Sequence, residues 1–367
     1  MLSDPSNSTP GHSPGTTPEI QPVSRRDFLK AAGIIAAGSF LASCNLPTPA
    51  EPINNPGVNV LWDEIKKAYI KSLVTISKWK IRSHIKKLEG VRHWRENPQA
   101  LEAAADYISD TLERYGHTVT RQPFTEEGRV FENILGLQEG IEEPDKFILI
   151  TAHFDTVAGS PGANDNASGV AAMLELARVL GKQTFKKSIV YVGMNREEWK
   201  EEVAGSSGKK GSTAMAGQAR MENKDIVGVI NFDEIGYAGD DYPQEWIPGY
   251  PASPGKGNFI GVVGNEKSAG LVLGYQSVIE AFHISLPVVL MVVPENGEQY
   301  PDTRRSDHAP FWDMGYPGIM LTDTANYRFP HGHKPSDTFD KLNLDFIVKV
   351  CRAAGLLVFQ AAEWKFE

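Results

Sequence analysis

Cysteine is scarce: the 367-residue chain has two, Cys44 and Cys351. That is too few for a disulfide framework or a cysteine-based zinc site. Positive charge is also in short supply. Lys and Arg total 37 against 46 Asp and Glu, the net charge is −9, and no basic block exceeds a pair. Such a chain is not built to follow a nucleic-acid backbone. No apolar run reaches the roughly 20 residues that cross a bilayer, and no internal repeat is visible. What is present is a composition that can bury a large core, with 41% hydrophobic, 9% aromatic and 23% charged residues. Wholesale disorder is thereby excluded. At roughly 150 residues per domain the length suggests two or three domains, although α/β enzymes often exceed that size as one unit.

The first forty-odd residues read as an address. Residues 1–23 are rich in Pro, Ser, Thr and Gly and carry no apolar period. The segment Ser24-Arg25-Arg26-Asp27-Phe28-Leu29-Lys30 then precedes a short apolar run, Ala31 to Ala42. A charged region before a short apolar core is the layout of an export signal, and its paired arginines resemble the twin-arginine type. Leu41-Ala42-Ser43-Cys44 resembles a lipoprotein cleavage box. Residues 1–43 are therefore expected to be a signal segment, with Cys44 a lipid-anchored first residue and the only attachment to a membrane. The expected location is the cell envelope or periplasm. Residues 44–58, with Pro47, Pro49, Pro52, Pro56 and Gly57, read as a tether. Cys351 falls in an apolar helical pattern and is expected to be a small buried hydrophobe.

Residues 59–367 read as a single α/β domain that begins with a helix. Leu61 to Lys87 has helical spacing of apolar residues. A clearer helix follows, with Asn97 as cap, Pro98 in the first turn, Leu101, Ala105, Ile108 and Leu112 on one face, and Gly116 at its end. Short apolar runs then alternate with helical patterns. Strands are expected at 147–150, 188–194, 226–232, 259–263, 288–293 and 318–322, and helices at 170–180, 212–222, 266–282 and 342–364. This alternation predicts a three-layer sandwich, a mixed but mostly parallel sheet flanked by helices. Ligands in such sheets bind beyond the carboxyl ends of the strands.

Those strand ends are where acidic and imidazole groups collect. Thr151-Ala152-His153-Phe154-Asp155 follows the first run. Pro161-Gly162-Ala163-Asn164-Asp165-Asn166-Ala167-Ser168-Gly169 leads into a helix. Asn195-Arg196-Glu197-Glu198, Asn231-Phe232-Asp233-Glu234, and a loop with His331-Gly332-His333 and Ser336-Asp337-Thr338 close other runs. A lone His-x-Asp or Glu-Glu is common by chance. Five such pieces place two imidazoles and several carboxylates at one sheet edge, where burying the negative charge without a cation would be costly. A His/carboxylate donor set suits zinc, and its size exceeds one tetrahedral site.

In this order the five motifs resemble the M28 zinc aminopeptidases over about residue 81 to the C-terminus. The resemblance implies a metal-dependent exopeptidase acting on peptides with two zinc ions per chain. It assigns His153 and Asp233 to one zinc, Glu198 and His333 to the other, and Asp165 to a bridge. It makes Glu197 the general base, has Asp155 orient His153, and implies a cis peptide between Asp165 and Asn166. Two metals about 3.5–4 Å apart polarise a scissile carbonyl and acidify a shared water.

Other residues compete for places in this scheme. Glu201-Glu202 is a rival acidic pair, but Glu197-Glu198 abut the apolar run. The spacing to Asp337 selects His333 over His331, which is left to line the cleft. Asp307 and His308 are read as supporting or substrate-contacting residues, with a helix cap as the plainer role for Asp307. Arg305 could receive a peptide carboxylate, although exposed arginines are more often just solvated. Trp79, Trp94 and Trp312 are expected in the core, and Tyr237 to Gly257 could either cover the cleft or form a plain loop. A one-zinc glutaminyl cyclase-like acyltransferase, a carboxypeptidase or dipeptidase of the same fold, and a non-catalytic relative are the alternatives.

Overall fold

The computed structural model describes residues 71–198, 208–245 and 255–365. Its strands, in chain order, are β1 (Thr118–Glu126), β2 (Arg129–Gln138), β3 (Glu143–His153), β4 (Thr184–Phe185), β5 (Lys187–Met194), β6 (Asp225–Phe232), β7 (Ile260–Asn265), β8 (Val288–Val293), β9 (Gly318–Thr322) and β10 (Trp364–Lys365). Eight form one sheet in the order β1-β2-β5-β3-β6-β9-β7-β8, and β4 pairs with β10 apart from it. The four central strands β5, β3, β6 and β9 run parallel, β7 is antiparallel to β9, and β2 is antiparallel to β5. The sheet is mixed, with its parallel part in the middle.

Side chains alternate across this sheet, so each strand feeds two cores. Ile148, Ile150, Ile189, Tyr191, Ile230 and Phe232 face one layer, and Leu149, Val190, Val192, Met194 and Val229 face the other. The first layer is covered by α1 (Lys78–Leu88), α2 (Pro98–Arg114), α3 (Gly169–Leu180), α5 (Ala269–Ala281) and α7 (Leu344–Ala361). The second is covered by α4 (Lys210–Met221) and the short α6 (Ala309–Asp313). With both faces covered, the central strands read as unbroken apolar runs, and each fully buried Ile, Leu or Val contributes roughly 1.5–3 kcal/mol.

Most elements match the sequence expectations. Asn97 caps α2 through its side chain with Pro98 at the start, and Cys351 is buried in α7. Three differences stand out. The β1–β2 hairpin was not foreseen; it turns at Glu127 and Gly128, both at positive φ (51° and 72°). The helical spacing of 61–87 is not one helix, because the chain turns at Val74–Thr75 and restarts at Lys78 with Ser77 as cap. The third is a correction: Trp79 is not in the core but 63% exposed, whereas Trp94 and Trp312 are buried. The signal segment, Cys44, the tether and Glu201-Glu202 lie outside the described residues.

Candidate metal centre

Four parallel strands deliver the site. His153 is the last residue of β3, and the Phe154 N–H donates to the Met194 carbonyl at the end of β5 (2.9 Å). Asp155 continues this stitching: its carboxylate accepts the backbone N–H of Glu197 (3.0 Å) and of Glu198 (3.2 Å). The acidic pair is thus fixed to the loop that follows β3. Asp165 sits in the irregular helical turn Ala163–Ser168, and the Asp165–Asn166 peptide is cis, as the resemblance implied. Gly162 enters that turn at φ 59°, where an added Cβ would strike the Asp165 carbonyl oxygen and the Thr156 side chain. The Asn166 side chain donates to the Phe232 carbonyl (2.8 Å) and accepts the Glu234 N–H (3.3 Å), tying this turn to the end of β6, where Asp233 follows. His333 arrives on the loop after β9 at φ 58°.

These residues converge. His153 Nε2 lies 3.2 Å from Asp165 Oδ1 and 3.5 Å from Asp233 Oδ1. His333 Nε2 lies 3.1 Å from the other Asp165 oxygen and 3.3 Å from Glu198 Oε2. Two ligand atoms each about 2.0–2.2 Å from a tetrahedral ion stand roughly 3.3–3.6 Å apart. The observed spacings, 3.1–3.5 Å, lie close to that range, so the donor set fits zinc. Two buried oxygens, Glu197 Oε1 and Glu198 Oε1, have no hydrogen-bond partner, which is the signature of groups placed for something other than the fold. Three-donor groupings also connect His153, Asp165 and Glu198, and connect Asp165, Asp233 and Glu234, with the donor atoms of each within 4.8 Å of one another.

The electrostatics show carboxylates crowded without enough cations. Burial lifts the Glu198 carboxyl to about 7, with Asp165 adding to the rise, and burial holds Glu197 well above the usual range. The Glu198 charge is the main reason that His333 is pushed up to about 12. Burial works against protonated His153, yet Asp155, Asp165 and Asp233 together raise it well above an ordinary imidazole. Asp165 is also disfavoured as an anion by burial, but the two imidazoles hold it low.

The remaining expectations divide. His331 turns away from the centre, contacting Ser336 Oγ (3.0 Å) and the Phe329 ring. Asp307 and His308 are fully buried; burial lifts Asp307 to about 7 and lowers His308 to about 3, and His308 Nε2 faces the Thr303 carbonyl. Neither lines the cleft, and Asp307 affects the centre through its charge, which raises Glu197. Arg305 does line the cleft, bonded to Asn326.

Glu234 and Arg92 were not singled out from the sequence, and Asp337 entered only as the spacing mark for His333; all three support the site. Glu234, beside Asp233, lines the cleft and accepts from the Asn164 side chain (3.2 Å). Asp337 accepts the N–H of Asn164 (2.8 Å) and of Asp165 (3.1 Å), fixing the bridging turn. Arg92, 2% exposed, donates to the carbonyls of Leu88, Phe154, Gly90, Pro161 and Gly162, joining the loop after β3 to the turn of Asp165. Replacing Arg92 by Met would orphan several buried carbonyls at about 1–3 kcal/mol each. The expected result is a loss of about 3 kcal/mol or more in thermal or denaturant unfolding. An unchanged midpoint would remove the clamp from the account.

Imidazoles and carboxylates gathered beyond the carboxyl ends of a covered α/β sheet form a centre of the kind that metal-dependent hydrolases use. Residues 133–358 match the description Peptidase family M28, and the chain belongs to that family. Among its relatives is the uncharacterized protein YfbL of Escherichia coli K12, 31% identical over 281 residues, covering 72% of this chain and 82% of that one. Two solved structures share the fold. The LapA aminopeptidase of Legionella pneumophila superposes with a TM-score of 0.62 at 19% identity, covering 82% of this chain and 76% of its own. A glutaminyl cyclase of Porphyromonas gingivalis gives 0.57 at 20% identity, covering 78% and 98%.

Proposed function

We propose that the chain is a two-zinc exopeptidase that removes residues from the free amino end of peptides. The observation that carries this reading is Asp165, whose two oxygens face different imidazoles at 3.2 and 3.1 Å. One carboxylate shared in that way suits a pair of ions better than one. In this reading His153 and Asp233 would hold one zinc, Glu198 and His333 the other, and Asp165 would be shared between them. Bound there, zinc would supply Lewis-acid polarisation of the scissile carbonyl and acidify an attacking water. Glu197, with an oxygen free of hydrogen bonds and a carboxyl that holds a proton readily, takes the proton and returns it to the departing amine. Asp155 positions both centres: it faces His153 Nδ1 at 3.5 Å and holds the backbone of Glu197 and Glu198.

The cleft itself favours an amino terminus. Its lining includes Asp165, Glu197, Glu198, Asp233, Glu234 and Asp302, with Arg305 its one arginine and no lysine among the described residues. An excess of carboxylates remains after two divalent ions, and it would attract an ammonium group. The test is a set of peptides with free, amino-blocked and carboxy-blocked ends. Release of amino-terminal residues, abolished by acetylating the amino group, is expected; cleavage from the carboxyl end would overturn the assignment. The cyclase is the second reading, because that fold is shared. One zinc per chain with pyroglutamate formation would establish it, whereas two zinc ions with hydrolysis support the peptidase. The place of action belongs to the same proposal: Ser24–Lys30 and Leu41–Cys44 suit export to the cell envelope and a lipid anchor at Cys44.

A further inference from the structure

The helix α1 is a charge anomaly. Residues 71–88 contain Lys71, Lys78, Lys80, Arg82, Lys86 and Lys87 and no acidic residue, in a chain of net charge −9. The buried residues Ile81, His84, Ile85 and Leu88 form one narrow stripe. At 100° per residue, Lys78, Arg82 and Lys86 fall on one side of Trp79, and Lys80 and Lys87 on the other. Trp79 is therefore central to a basic arc, 63% exposed with Lys80 Nζ 5.3 Å from its ring centre. Val74, in the turn before the helix, is 57% exposed, so two of the five large hydrophobics exposed among the described residues lie within six positions. Lys78 pairs with Asp345 and Lys86 with Glu89, while Lys80, Arg82 and Lys87 have no acidic partner among the described residues.

We propose that this face of α1 docks on an anionic phospholipid surface. A tryptophan ringed by basic side chains matches a headgroup layer, where the indole sits at the boundary and cations meet lipid phosphates. Position in the chain favours a lipid surface over an acidic protein partner. Residues 45–70 lead directly from Cys44 into this segment, so a chain anchored there would bring α1 to the bilayer first. The choice of a lipid surface rests on the proposed anchor at Cys44, whereas the reaction at the metal centre plays no part in it.

The experiment uses the full chain carrying Cys44→Ser, which cannot be acylated, sedimented with vesicles. Vesicles of phosphatidylglycerol with phosphatidylcholine are compared with vesicles of phosphatidylcholine alone. The apolar run 31–42 is common to all variants and cancels in the comparison. The expected result is roughly tenfold stronger binding to the anionic vesicles, weakened by salt. The triple variant K80E/R82E/K87E should lose most of that preference for anionic vesicles while keeping its activity on a soluble peptide. If that variant does not fold, K80Q/R82Q/K87Q should give an intermediate loss. Equal binding to both vesicles, or unchanged anionic binding after charge removal, would overturn the proposal. So would retention on heparin without vesicle binding, which would assign the arc to a soluble polyanion.

Discussion

Glu197→Gln should lower peptide hydrolysis by about a hundred- to ten-thousandfold, the range for removing a general acid–base group, with the zinc content unchanged. Glutamine keeps the size and one carbonyl oxygen of glutamate but cannot carry the proton from water to leaving amine. The variant should fold normally, because the Glu197 carboxyl does not anchor the fold: Oε1 has no hydrogen-bond partner, and Oε2 faces His153 Nε2 only at 4.0 Å. Its backbone N–H, the part that does hold structure through Asp155, is untouched. The measurement is kcat/KM on an amino-free peptide together with metal content by mass spectrometry. Full activity would remove Glu197 from the reaction; loss of activity with loss of metal would make it a ligand instead.

The neighbouring pair member separates the two roles. Glu198→Gln is expected to weaken metal binding as well as rate, because Glu198 Oε2 faces His333 Nε2 at 3.3 Å in the ligand-like arrangement. Two adjacent glutamates at one strand end would then differ by their readout, one losing turnover alone and the other losing zinc.

How much was legible followed from where the signal lay. Strands buried on both faces appear as apolar runs, so β3, β5, β6 and β9 could be read directly, and the charged residues after them marked the carboxyl edge. That placed His153, Glu197, Glu198 and Asp233 without coordinates. The β1–β2 hairpin lies at the sheet edge with half-exposed faces, and Arg121, Gln122 and Pro123 dilute its alternation. Its one sharp signal was Glu127-Gly128, a turn pair with positive φ at both positions. Trp79 was misplaced because a large aromatic was assigned to the core by its type alone, whereas the helix that Ser77 caps buries Ile81, His84, Ile85 and Leu88 and leaves Trp79 outside. Arg92 carries no local pattern at all. Its partners are backbone carbonyls, including those of residues 154, 161 and 162, which only the folded chain brings near. Glu234 was hidden differently, as one of two adjacent acids of which the motif uses the first.

Removing the metals should abolish hydrolysis and leave a protein whose stability falls as pH rises. In the metal-free chain Glu198, Asp307 and Asp337 are each lifted by burial to about 7. An unfolded carboxyl ionises near pH 4, so between about pH 4 and 7 the unfolded state sheds protons that the folded state keeps, and stability is lost. His333, pushed up to about 12 chiefly by Glu198, adds to the same slope from about pH 6.5 upward, where an unfolded imidazole gives up its proton. Asp165, held low, is ionised in both states across this window and contributes no slope. Zinc takes the deprotonated ligands, so its binding strengthens as pH rises. At a free concentration a thousandfold above Kd it stabilises by roughly 4 kcal/mol, or on the order of 10 °C in melting temperature. The gap between loaded and chelator-treated protein should therefore widen steadily from about pH 5 to 8. Melting curves over that range, with and without chelator, measure it. Coincident curves at every pH would mean that the clustered carboxylates are not held together by metal.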